Sequence, residues 1–94
     1  MVIGVCTLYL SIPTSHSLKD KRHVLKSLTA RVRNNFNVSI AEVEQQDSWQ
    51  TAVLGVACVS ADLAYIHGLL TKVVEAVSNY RLDAQILDYK IETF

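Results

Sequence analysis

The chain has 94 residues, half of them apolar, with nine basic and nine acidic side chains and a formal net charge of zero. That length suits one domain spanning residues 1–94 and leaves too little chain for a second core. Its apolar runs fall short of a membrane span, and Val2 starts a strand where a secretory leader would need a basic region and an apolar helix, so a cytoplasmic, non-membrane protein is expected.

The zero balance hides an asymmetry. Residues 1–34 carry Lys19, Lys21, Arg22, Lys26, Arg31 and Arg33 against Asp20 alone, a net +5, and residues 35–94 carry three cations against eight carboxylates, a net −5. A dipolar chain of this kind can offer a local basic surface without being basic overall. Cys6 and Cys58 both lie inside apolar runs, which favours buried free thiols over a disulfide or a metal site.

Val2 to Ser11 reads as a strand apolar on both alternating faces, the mark of a central position. Pro13 ends it, because proline lacks the ladder donor. Ser17 is a good N-cap, and Asp20 three residues later can complete a capping box. Leu18, Leu25, Leu28 and Val32 then share one side of a helix over about residues 18–34. Asn34, Asn35 and Asn37 supply turn chemistry, and residues 38–44 form a more polar strand that sets Glu42 and Glu44 on one side.

Gln45 to Ser48 is a hairpin loop, and residues 50–60 form the second strand apolar on both sides. Ser60 is the expected cap of a second helix, whose core stripe is Leu63, Ile66, Leu70, Val73 and Val77, broadened by Leu69 and Val74. Gly68 inside it costs up to about 1 kcal/mol relative to Ala, so close packing is expected there. A last strand over residues 81–94 changes apolar phase between Ile86 and Leu87, which predicts a bulge.

The order β-α-β-β-α-β predicts an α+β, ferredoxin-like fold: a four-stranded antiparallel sheet with two helices on one face. The first and third strands are central in that fold, and they are the two that read as apolar on both sides. The uncovered face then leaves several hundred Å² of apolar surface, at or above the roughly 300–600 Å² of the largest patch on a typical monomer. A homodimer through the open sheet face is the natural cover, with the last strand folding over as the alternative.

Lys19, Arg22, Lys26 and Arg33 project within about 60° of one another along the first helix, with Arg31 on the opposite flank. They read either as a solvated charged face or as a phosphate-contacting ridge for RNA. Cations crowd the first turn, where the helix dipole disfavours them. Ser17, Lys19 and Lys21 form a candidate anion-binding site at the helix start, which His16 can join. Lys21 falls near the centre of the apolar arc, so it can instead snorkel out of the helix–sheet seam.

Trp49 is expected on the core rim, with base stacking or partner contact the sharper option. The third strand carries no aromatic, which argues against the usual base-stacking sheet of RNA-recognition domains. His16, His23 and His67 lack paired metal-ligand spacing, and no Cys-x-x-Cys or glycine-rich phosphate loop occurs. With carboxylates dispersed, no catalytic residue, metal or cofactor is assigned and a non-enzymatic protein is expected.

At Ser17-Leu18-Lys19-Asp20-Lys21-Arg22 and Val24-Leu25-Lys26-Ser27-Leu28 the chain resembles the YlxP-like family of small bacterial proteins of unknown function. The likeness continues through residues 36–43, Asp47-Ser48-Trp49-Gln50 and Leu54-Gly55. The resemblance implies a ferredoxin-like fold and, from the company the family's genes keep, a setting near translation initiation and ribosome maturation. It adds no catalytic residue. The leading expectation is a module contacting RNA or a ribosomal particle through the first helix. A scaffold or protein-interaction homodimer, or a small-anion sensor, are the alternatives.

Overall fold

The computed structural model describes residues 1–80 and 83–94. Six elements follow in the expected order: β1 (Val2–Ser11), α1 (Leu18–Asn35), β2 (Ser39–Glu44), β3 (Thr51–Ser60), α2 (Leu63–Asn79) and β4 (Gln85–Thr93). The strands form one sheet in the order β2-β3-β1-β4 with every pair antiparallel. This is the ferredoxin-like arrangement, with β1 and β3 in the middle. Arg81 and Leu82, the expected start of the last strand, lie outside the described residues.

One alternating set of each central strand meets the helices. Cys6, Leu8 and Leu10 from β1 and Ala52, Leu54, Val56 and Cys58 from β3 are buried against Leu25, Leu28 and Val32 of α1 and Ile66, Leu70, Val73 and Val77 of α2. Each such large side chain contributes roughly 1.5–3 kcal/mol on burial. Ile12, just past the end of β1, is also fully buried.

Three local expectations change. Asp62, not Ser60, caps α2: its carboxylate accepts from Ala64 N at 2.9 Å, while Ser60 Oγ accepts from Asp62 N at 3.2 Å. Leu63 is therefore the first helical residue, ahead of the turn that reaches the sheet, and it is half exposed rather than part of the core. Close packing falls at Gly4 instead of Gly68. A Cβ on Gly4 would lie 2.3 Å from Ile66 Cγ2, whereas one on Gly68 meets nothing within 4 Å. The strand glycine, not the helix glycine, lets α2 settle onto β1.

Two bulges shape the sheet. Tyr9 pairs with Asp88 but Leu10 pairs with Ile86, so Leu87 is the extra residue that the phase change foretold. On the other edge Glu42 pairs with Leu54 and Glu44 with Val53. Cross-strand partners share a face, so this second bulge turns Glu42 towards the helices and Glu44 away from them. The two glutamates do not share a side as their spacing alone suggested.

Candidate nucleic-acid interface on the first helix

Ser17 caps α1, its Oγ accepting from Asp20 N at 3.0 Å. Asp20 reaches back, but one residue further than in the usual box, and its Oδ2 accepts from His16 N at 3.0 Å. A carboxylate therefore already occupies the helix N-terminus, where it complements the dipole. A depression beside it contains Lys19 and His23 but also Asp20 and Asp83.

Lys21 does not snorkel. It is 1% exposed, and its Nζ donates to Gln45 O at 2.8 Å and Thr51 O at 3.2 Å, with Gln46 O at 3.5 Å. Glu42 Oε2 lies 2.8 Å from the same nitrogen, and among the described residues that oxygen has no other partner. The inward turn of Glu42 at the bulge and the positive φ of Gln45, 63°, bring these oxygens together. An ammonium has three protons to donate, and here all three have acceptors within the fold. Lys21 therefore drops out of the candidate anion trio, leaving Ser17 engaged as a cap and Lys19 beside two carboxylates. The sequence signal for this role was present, since Lys21 sits mid-arc among leucines, but its partners come from the distant hairpin.

Lys19, Arg22 and Lys26 are exposed along successive turns of α1, and among the described residues none forms an ion pair. Arg33 continues the same flank, but its guanidinium donates to Ile40 O at 2.8 Å and so fastens the helix to the edge strand β2. Arg31 lies on the other flank as expected, 5.4 Å above the Tyr80 ring, a contact worth about 0.5–1 kcal/mol at an exposed site. Tyr80 also accepts from Asn35 Nδ2 at 3.1 Å. Among the described residues, the ridge thus has three cations without an ion-pair partner and one that doubles as a structural tie.

Trp49 does not pack on the core rim; the residue is 56% exposed in the β2–β3 loop. His16, His23 and His67 are exposed, and among the described residues no group of three or more His, Cys, Asp or Glu side chains is placed to hold a metal. Cys6 and Cys58 are free and buried. Burial pushes the Cys6 thiol up to about 11 and raises Cys58 too, against the opposing effect of a Gly4 backbone hydrogen bond. No described helix is long and apolar enough to cross a membrane.

The family model for DUF503, a protein of unknown function, matches residues 3–91. The chain belongs to the DUF503 family. It is 38% identical over 79 residues to the uncharacterized protein YlxP of Bacillus subtilis (strain 168), a match covering 84% of this chain and 86% of that protein. The YlxP-like resemblance read from residues 17–28 and 36–55 therefore holds. The DUF503 chain is also similar in structure to a de novo designed protein, Foldit4, with a TM-score of 0.53 and 11% identity over all of this chain and 97% of that one. At that identity the likeness speaks for the fold alone.

Proposed function

We propose that this DUF503 protein is a non-enzymatic, cytoplasmic module that contacts RNA, free or within a ribosomal particle, through the exposed flank of α1. The observation that carries this reading is the set Lys19, Arg22 and Lys26, aligned on one flank and unpaired among the described residues. Exposed cations in a row match the charge of a phosphate backbone, and their neutralisation by phosphates releases counterions. Nuclease-controlled co-sedimentation with ribosomes and anisotropy titrations of labelled RNA test it. Lys19→Glu, Arg22→Glu and Lys26→Glu together should weaken binding and flatten the dependence of log affinity on log salt by about 2, taking roughly 0.7 per contact. Wild-type protein that shows no salt-sensitive RNA binding would refute the proposal.

A second reading, compatible with the first, has its own observation. Ile3, Tyr9, Val43, Val59 and Leu87 are all exposed and lie on the sheet face away from the helices. A homodimer formed through that face would cover them and leave α1 accessible on the other side of the sheet. Sedimentation equilibrium should then give a dimer for the wild type and a monomer for Val59→Lys; a monomeric wild type at all concentrations counts against it.

A further inference from the structure

We infer that Trp49 is a base-stacking residue, an indole held ready for the face of one unpaired nucleobase of an RNA whose phosphates follow Lys19, Arg22 and Lys26. This rests on the RNA-contact reading above and adds to it a residue and a kind of RNA.

Trp49 is the chain's one tryptophan, and it leaves more than half its surface in water. A flexible loop would make that exposure unremarkable, but this loop is fastened on both sides of the indole. Before it, Gln45 O and Gln46 O meet the buried Lys21 ammonium, and Ser48 N donates to Gln45 O at 3.0 Å. After it, Gln50 Nε2 donates to Pro13 O at 3.2 Å and Ser15 O at 3.0 Å. Gln50 O accepts from Ile12 N at 2.7 Å, and Thr51 O accepts from Lys21. Thr51 N and Oγ1 both contact Ser48 Oγ, at 3.2 and 2.6 Å, closing the turn across Trp49 itself. Little of the loop's order remains to be gained on binding, which is what makes a stacking platform effective.

The same bonds place the loop that carries Trp49 at the N-terminal end of α1, where the basic flank begins. The Lys21 ammonium carries the loop from the inner side of the first helical turn, the same turn from whose outer flank Lys19 and Arg22 project. Gln50 is tied to the segment that leads into Ser17. The loop's own charges choose between the two parts of a nucleotide. Glu44 and Asp47 flank the turn and repel phosphate, so the backbone keeps to the helix and the indole takes the neutral π-face of a base. Stacking of this kind tolerates any sequence but requires an unpaired base, so the favoured RNA is a loop or single strand rather than a continuous duplex.

The single tryptophan is also the probe. Wild-type protein would be titrated with a labelled RNA hairpin bearing a single-stranded loop, and with a fully paired duplex of the same stem. Anisotropy and tryptophan emission would be read together. The hairpin should quench the emission and the duplex should not. Trp49→Ala should lose roughly 5- to 150-fold in hairpin affinity with little change for the duplex, and Trp49→Phe should retain part of the difference. Urea unfolding would verify that both variants keep the wild-type fold. Salt-sensitive hairpin binding with unchanged emission, and with Trp49→Ala equal to wild type, would overturn the inference and leave the RNA-contact reading standing. Absence of binding to either RNA would overturn both. Emission that shifts with protein concentration in the absence of RNA would assign the indole to a protein contact and overturn the inference as well.

Discussion

Lys19 and Lys21 stand two residues apart in one helix turn, and their surroundings have nothing in common. Lys19 is exposed on the outer flank with Arg22 and Lys26, whereas Lys21 is sealed in the helix–sheet seam with backbone oxygens and Glu42 around its ammonium. The two glycines that meet α2 divide in the same way: Gly4 is pressed against Ile66 and Leu70, and Gly68 faces open space. Residue type did not decide these roles. The side of the helix–sheet seam did, because only there do atoms from distant parts of the chain converge.

The sharpest way to break the contrast is Lys21→Met, which should destabilise the fold by about 3 kcal/mol by leaving buried carbonyl oxygens unpaired and the partly buried Glu42 carboxylate uncompensated. Urea denaturation would measure it, and adding Glu42→Leu should restore only part of the loss, since the carbonyls stay orphaned. Full recovery would mean that the ion pair, not the hairpin clamp, is what Lys21 contributes. Next in size is Gly4→Ala, expected to cost about 1–3 kcal/mol by overpacking against Ile66, whereas Gly68→Ala should stabilise by up to about 1 kcal/mol through helix propensity. Thermal melts of the two variants should move in opposite directions.

Cys6 tests the seam by pH. Burial pushes its thiol from an ordinary value of 9.0 up to about 11, so the folded state holds this proton more tightly than the unfolded state. The stability it contributes is complete below pH 9 and is lost as pH rises towards about 11. Denaturation midpoints of wild type and Cys6→Ala should converge over that window; curves that stay parallel would show that Cys6 ionises as an exposed thiol does. The smallest effect is expected outside the seam. Lys19→Glu, Arg22→Glu and Lys26→Glu together should change stability by no more than about 0.5 kcal/mol per site, even where RNA binding is lost.

The sequence carried most of the architecture, because strand and helix periodicities are local properties of the chain. The two-sided apolar character of Val2–Ser11 and of residues 50–60 marked the central strands, and the phase change at Ile86–Leu87 marked a bulge. The second bulge, between Glu42 and Glu44, had no such mark, since a polar edge strand shows no apolar phase to slip. The cap of α2 was displaced by two residues because Ser60 and Asp62 both offer cap chemistry, and only the backbone path chose between them.

For the candidate interface, the sequence by itself determined the basic flank: 100° of rotation per residue aligns Lys19, Arg22, Lys26 and Arg33 whatever the helix packs on. Only the tertiary structure decided which cations remain free. Lys21 and Arg33 take acceptors from the β2–β3 hairpin and from β2, segments whose approach no local pattern encodes. The same clamp decides Trp49, which an apolar count assigns to the core rim. Lys21 and Gln50 instead hold its loop to the start of α1 with the indole in water. Charge spacing is written along the helix; the pairing of a buried charge is fixed only when the chain has closed around it.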